Sequence, residues 1–355
     1  MIIQSITSST THIPLVKTFK TALRKVDAID YILVKVNTNT GQIGIGGAVP
    51  SAVITGETVG SILAAIDFIS TAIAGMDLDD REEVLETLNA CMVGNSSAKA
   101  AVDMAIYDLA GKMSGQPLYG LLGGKQRHIE TDMTIGIDTL AKMEKDTRET
   151  LDKGFSILKI KVGHDPDEDI ARLKTISAAA GPDIALRLDA NQGWTAKQAL
   201  KVSDAIARHN INVQLMEQPV KAHDIKGMAF VSGRTDLPVF ADESLFSPVD
   251  AQRIIDAGAA DGFNIKLMKC GGIYNALKIS AIAETAGIPC MIGSMMETVV
   301  SITAAAHLAC AKRIIKYFDL DAPLFCNSRP VPGGISYDGA RIQLSSSPGL
   351  GFENV

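Results

Sequence analysis

A chain of 355 residues with 40 acidic against 34 basic side chains and a net charge of -6 is long enough for a barrel plus a smaller domain, and it has no basic run to suit nucleic acid or an anionic membrane surface. No stretch reaches the roughly 20 unbroken apolar residues of a membrane span. Five cysteines without CxxC pairs follow a start, MIIQSITSSTTHIPL, that lacks a basic segment leading into a long apolar one; buried thiols and a cytoplasmic location are expected.

In chain order, IDYILVKVNTNTGQIGIGG alternates apolar and polar residues around a turn rich in Asn, Thr and Gly, which predicts an antiparallel hairpin. SILAAIDFISTAIAG and SSAKAAVDMAIYDLAGKMSG then read as helices, the second closing on Gly115. Together they predict an α+β domain over residues 1–125. From Thr131 the texture changes. TDMTIGI reads as a strand, and ILKIKVG, ALRLDAN, VQLMEQP, PVFADES, FNIKLMK, PCMIGSM and IIKYFDLD follow at intervals of roughly 25 to 28 residues, the span of a βαβ unit. That period predicts an α/β architecture, a (β/α)8-type barrel over residues 126–323. The tail, residues 324–355, is rich in Gly, Pro and Ser and lacks the period, so it is expected to return to the first domain. The two pieces would form one cap that excludes water from the barrel mouth.

Parallel barrel strands deliver their C-terminal ends to a single mouth. Asp189, Glu217 and Asp242 end three consecutive runs, and a cluster of that charge repels itself unless it holds a hard divalent cation. One Mg2+ per subunit is expected there, although any one of these carboxylates also suits the cap of a following helix. Lys159 and Lys161 lie two apart and share a face of their strand, while Lys266 lies across the mouth. Burial and like charge are expected to lower the lysine pKa values toward those of useful bases. Lysines on both sides of a cation suit removal of a proton beside a carboxylate and its return from the opposite face, with the cation offsetting the charge of the enolate. FDLDAP places Asp319 and Asp321 on one face, suited to a substrate ammonium or to capping the barrel end.

KIKVG, LDANQGW, MEQP, ADES and NIKLMKCGG together resemble the enolase superfamily, in its muconate-lactonizing-enzyme subgroup, over essentially the whole chain. The resemblance implies a capping domain on a modified (β/α)7β barrel and Mg2+ on Asp189, Glu217 and Asp242. It implies Lys161 and Lys266 as the acid/base pair, Lys159 as support for developing charge, and Asn191 and Glu243 as partners that steady the ligands. The mandelate-racemase branch uses a histidine late in the barrel; none of the six histidines here ends a strand, and His164 reads as a loop residue. The Asp319 and Asp321 pair is similar to the Asp-x-Asp with which dipeptide epimerases hold an amino terminus. The implied activity is inversion of the C-terminal α-carbon of a dipeptide by two-base 1,1-proton transfer.

KTFKTALR and SAVITGET resemble the two covering loops of that family. Arg24 stands where L-Ala-D/L-Glu epimerases carry an arginine able to pair with the Glu side chain, and is otherwise a surface arginine. Gly47 replaces the acidic residue of a common Gly-Glu-Ala stretch, and with Ile54 and Met296 as apolar lining it is expected to leave room for hydrophobic dipeptides. Ser294 is either a donor to the substrate carboxylate or an ordinary loop hydroxyl. Of Met295 and Met296, one is expected to face the mouth. N-acylamino acid racemases and o-succinylbenzoate synthases are the alternative, sharing the metal and lysines but acting on substrates without an ammonium. A non-catalytic acid-binding barrel would not keep both lysines, and a Schiff-base aldolase would leave the carboxylates without a purpose. A homo-oligomer is expected.

Overall fold

The N-terminal alternation folds into an antiparallel sheet of β1 (Ile3–Lys20), β2 (Lys25–Thr38) and β3 (Ile43–Ala48), paired in that order. Ile32, Val34 and Val36 of β2 point to one buried face, as a period of two requires. That face packs on the helix Ser96–Ser114, which is buried along most of its length and ends at Gly115 in the left-handed conformation (φ 65°). The contact is close because β3 has glycines where it crosses the helix: a Cβ on Gly46 would lie 1.8 Å from Ala101 O, and one on Gly44 2.1 Å from Ala105 O. The computed structural model describes residues 1–22 and 24–352; Leu23, in the first expected covering loop, and residues 353–355, at the end of the expected tail, lie outside the described residues. Much of that first covering segment is not loop, since Lys17–Lys20 continue β1 and form the end of a long hairpin. The second, SAVITGET, is a compact turn in which the N–H groups of Ile54, Thr55 and Gly56 all donate to Ser51 O. Buried Glu57 fastens it by accepting from the Ser97 N–H at 3.1 Å and the Ser97 hydroxyl at 2.6 Å, at the N-terminus of the long helix.

After the short β4 (Ile129–Glu130), eight parallel strands follow in spatial order: β5 (Met133–Ile135), β6 (Ile157–Lys161), β7 (Ala185–Asp189), β8 (Val213–Glu217), β9 (Val239–Ala241), β10 (Gly262–Ile265), β11 (Cys290–Ile292) and β12 (Ile315–Phe318). A helix follows each of the first seven, whereas β12 runs into a single 3-10 turn, Ala322–Phe325, giving the (β/α)7β arrangement. Several helices start where their caps stand in the sequence: Thr139, Asp165, Thr195, Asp224 and Ser247 each accept from a first-turn N–H.

The curled sheet closes between β12 and β5 through a few specific bonds. Asp132 N–H donates to Phe318 O (3.2 Å), Leu320 N–H to Thr131 Oγ1 (2.8 Å) and Thr134 N–H to Asp321 Oδ2 (2.7 Å). Beyond the barrel, β13 (Ser336–Asp338) and β14 (Arg341–Gln343) form a hairpin whose second strand pairs with β4. The chain then reaches the first domain, where Leu350 N–H donates to Asp108 Oδ1 (2.8 Å) and Leu118 N–H to Gly349 O (2.8 Å). Cys270, Cys290 and Cys310 are free and buried, and burial pushes the Cys270 and Cys290 thiols up to about 12. No helix among the described residues is long and apolar enough to cross a membrane.

The glycine contact gives a direct test of this packing. Gly46→Ala should destabilise the protein by about 1 to 3 kcal/mol, the cost of forcing a methyl into a filled space, read as a lower urea midpoint at unchanged m-value. An unchanged midpoint would mean that the sheet and helix are not held this closely.

Candidate active site at the barrel mouth

The strand ends place their ionisable side chains together. Asp189 and Glu217 are the last residues of β7 and β8, Asp242 follows β9, and Lys266 follows β10. All four are buried, as are Lys159 and Lys161 on β6. Asp189, Glu217 and Asp242 each bring a carboxylate oxygen within 4.8 Å of the others. Lys161 Nζ lies 2.5 Å from Asp189 Oδ2, and Lys266 Nζ lies 2.7 Å from Asp242 Oδ2 and 3.6 Å from Glu217 Oε1. Lys159 Nζ sits at the centre, 3.0 Å from Asp189 Oδ2, 2.8 Å from Glu217 Oε2 and 2.7 Å from Asp319 Oδ2.

These distances reverse one expectation. Desolvation works to lower the Lys159 and Lys266 pKa values, but Asp189, Asp319 and Glu217 around the first, and Asp242 and Glu217 around the second, outweigh it and hold both ammonium groups well above the ordinary lysine range. A neighbouring lysine and burial can be read along one strand, whereas the carboxylates within hydrogen-bond reach come from other strands.

A hard divalent cation fits the carboxylates. They offer three oxygen donors of the type such ions prefer, and Glu217 Oε2, though close to Lys159, has no directed hydrogen bond among the described residues. The remaining carboxylate oxygens are held by groups the motifs did not single out. Asn264 Nδ2 donates to Glu217 Oε1 (2.7 Å), and Lys269 Nζ donates to Asp242 Oδ1 (2.5 Å) and to the Asp242 carbonyl. Both stand inside NIKLMKCGG, so their type was visible, but not which carboxylate each would meet. Asn191 donates its N–H to Asp189 Oδ1 (2.9 Å) and its Nδ2 to Glu243 Oε1 (3.2 Å). Burial, together with Asp242 and Asp189, pushes the Glu243 carboxyl up to about 8.

Above these groups lies a cleft lined by all the residues expected to touch substrate: Arg24, Ile54, Ser294, Met296, Asp319 and Asp321. Phe19, Thr21 and Val53 complete the part contributed by the first domain. Asp319 and Asp321 are buried just past the end of β12, where strand alternation no longer applies, yet both still face the cleft. Met295 and Met296 both line it, contrary to the expectation of one, because they stand in the turn after β11 rather than on a pleated strand. Ser294 is bound to Asp319 O through its hydroxyl (3.4 Å). The space expected at Gly47 is filled: a Cβ there would lie 2.6 Å from the Tyr31 ring, and Gly47 is not part of the cleft wall. No carboxylate among the described residues pairs with Arg24, whose guanidinium is partly withdrawn from water. His164 is in the loop after β6, its N–H donating to Asp169.

A capped (β/α)7β barrel whose mouth holds three clustered carboxylates between lysines of opposite strands defines the enolase-like class of proteins. Residues 142–354 match the family model described as enolase C-terminal domain-like, and residues 5–123 match the mandelate racemase / muconate lactonizing enzyme N-terminal domain. The chain belongs to this mandelate racemase and muconate lactonizing enzyme family of the enolase superfamily. An L-Ala-D/L-Glu epimerase of Clostridium acetobutylicum is 47% identical over 100% of this chain and 99% of its own length. A substrate-liganded complex of the L-Ala-D/L-Glu epimerase from Bacillus subtilis superposes with a TM-score of 0.98 at 44% identity, covering 99% of both chains. The dipeptide epimerase from Enterococcus faecalis, solved with Mg and the dipeptide L-Leu-L-Tyr, superposes with a TM-score of 0.97 at 43% identity over 100% of each chain.

Cation binding can be read without turnover. A divalent cation at a hundredfold excess over its Kd should stabilise the protein by about 2.7 kcal/mol by mass action, seen as a raised Tm. Asp189→Asn, Glu217→Gln and Asp242→Asn should each lose most of that increment. No cation-dependent rise in the unaltered protein would overturn the site.

Proposed function

We propose that the protein is a Mg2+-dependent dipeptide epimerase that inverts the α-carbon of the C-terminal residue. The observation that carries this reading is the joint placement in one buried cleft of Lys161 and Lys266 on opposite strands, the carboxylates between them, and the Asp319 and Asp321 pair at the far side. Relatives named as epimerases across the full length support it.

Asp319 and Asp321 would receive the dipeptide ammonium, which disfavours N-acylated substrates, since these bring no positive charge to Asp321 and add none to the Lys159 contact of Asp319. Mg2+ on Asp189, Glu217 and Asp242 would supply positive charge beside the substrate carboxylate and draw on the same carboxylates that hold the lysine protons. Lys161 and Lys266, approaching the α-carbon from opposite faces, would remove a proton on one side and return one on the other. Lys159, tied to Asp189, Glu217 and Asp319, would fix the cation side of the cleft relative to the ammonium side. Asn191 and Glu243 would steady Asp189, and Ser294 the Asp319 backbone. The cap from residues 1–125 and 324–355 would close the barrel of residues 126–323 against water through Phe19, Val53 and Ile54. Arg24 would face an acidic C-terminal side chain, with Ile54 and Met296 accommodating its methylenes. A homo-oligomer working in the cytoplasm completes the reading.

The two-base arrangement makes a stereochemical prediction. In D2O, Lys161→Ala and Lys266→Ala should each fail to epimerise, yet each should still exchange the α-proton of one epimer with retention, and the two variants should choose opposite epimers. NMR of each variant with each epimer decides it; both variants exchanging the same epimer would sink the proposal. Side-chain recognition is tested separately. Arg24→Met should lower kcat/KM by about 1.5 to 3 kcal/mol for dipeptides ending in Glu, as for a lost charged hydrogen bond, with little change for those ending in Leu. Equal losses on both would remove Arg24 from substrate recognition.

A further inference from the structure

Next to the Asp319 and Asp321 pair lies a third carboxyl that no motif marked. Asp132 stands immediately before β5 with no exposed surface, and its Oδ2 accepts from Arg187 Nη1 at 2.8 Å. Its Oδ1 has no hydrogen-bond partner among the described residues. Asp132, Asp319 and Asp321 each bring a carboxylate oxygen within 4.8 Å of the others, and all three are buried.

The surrounding charges do not balance three ionised carboxylates. From β7, Arg187 reaches Asp132 Oδ2 and also Phe318 O (2.9 Å), with its Nε on Gln214 Oε1 (3.0 Å). From β6, Lys159 reaches Asp319 but is shared with Asp189 and Glu217. From β5, Asp321 receives the Thr134 N–H (2.7 Å) and the Thr134 hydroxyl, both uncharged, and from β13 the Tyr337 hydroxyl is already committed to Leu320 O (2.6 Å). Lys161 and Lys266 act on Asp319 at longer range. Three buried carboxylates this close cannot all stay ionised against so little positive charge. A protonated Asp132 resolves two difficulties at once, since it removes one negative charge and gives the unpartnered Oδ1 a proton to donate.

We propose that Asp132 is the third member of the amino-terminus receptor: Asp132, Asp319 and Asp321 hold a shared proton when no dipeptide is bound and release it to solvent when the substrate ammonium docks. The proton leaves as the ammonium charge arrives, so the net charge of the buried pocket stays constant. Burial and the neighbouring carboxylates act in the same direction, raising the Asp132 carboxyl well above the ordinary range and the Asp321 carboxyl to about 6. Because proton and ammonium compete, affinity for a free dipeptide weakens as pH falls and the receptor gains its proton. This inference rests on the reading of Asp319 and Asp321 as the ammonium site.

Calorimetric titration of the Mg2+-loaded protein with L-Ala-Gly tests it. Glycine has no stereocentre, so binding is measured without net reaction. At about pH 6.5, heats in two buffers of different ionisation enthalpy should report release of about 0.5 to 1 proton per dipeptide, declining as pH is raised. N-acetyl-L-Ala-Gly should release none, and Asp132→Asn should bind the free dipeptide with the release abolished. Since that variant also removes the charge partner of Arg187, its fold is checked by circular dichroism, and the pH dependence of release in the unaltered protein stands as an independent measurement. Binding without any buffer dependence overturns the shared proton and leaves the ammonium site standing. Undiminished release from a folded Asp132→Asn removes Asp132 from it. Failure of any free dipeptide to bind overturns the ammonium reading and this inference together.

Discussion

Lys159 is the charge on which the barrel mouth depends. It is almost wholly buried, and burying an ammonium is costly unless the protein surrounds it with compensating groups. Here the compensation comes from three strands at once, through Asp189, Glu217 and Asp319. The same contacts hold down carboxylates that would otherwise repel one another. Removing Lys159 would therefore leave several like charges in a dry site, and the positions of both halves of the cleft would be lost together.

The cap is attached to this barrel by buried polar contacts and, at the hairpin end, by ion pairs. Asp103, inside the long cap helix, accepts from the Ile273 N–H at 2.5 Å and the Tyr274 N–H at 3.2 Å, and so caps the barrel helix that follows Lys266 and Lys269. Glu57 ties the covering turn to the start of the same cap helix. The hairpin end is held differently, by half-buried ion pairs such as Lys17 with Asp146 and Lys20 with Asp138. The two parts of the cleft cover are therefore held by different partners. Val53 and Ile54 are presented by a turn anchored within the cap, while Phe19, Thr21 and Arg24 stand at a hairpin end docked on the barrel, where Ile137 N–H donates to Lys20 O (3.2 Å) and the Phe19 ring packs edge-on against Phe325.

Closure of the barrel and the proposed receptor for the amino terminus share one seam. The bonds that join β12 to β5 are made by Asp132, Thr131, Thr134 and Asp321, residues that also build or adjoin the far side of the cleft. Arg187 spans the seam by holding Asp132 and Phe318 O together. A regular ladder would have satisfied those backbone groups locally, leaving fewer side chains aimed inward. The irregular closure concentrates buried polar groups at that side of the mouth, where an ammonium can use them.

The sequence by itself determined the architecture and the main chemical groups, because both are written in short-range patterns. Strand alternation, helix caps such as Asp165 and Ser247, and the recurring βαβ interval are local properties, and a residue at the end of a barrel strand needs no distance information to be placed at the mouth. Asp189, Glu217, Asp242, Lys159, Lys161 and Lys266 were legible for that reason. Tertiary structure alone decided how those charges settle one another. Lys159 and Lys266 are held protonated by carboxylates from other strands, Asn264 and Lys269 take up the ligand oxygens that remain, and Tyr31 occupies the space that Gly47 was expected to open. Asp132 and Arg187 carry no motif, and they are brought together with Phe318 O only where β12 meets β5. Electrostatic free energy depends on separation and desolvation, which are fixed by how strands distant in sequence come together rather than by the order of residues along any one of them.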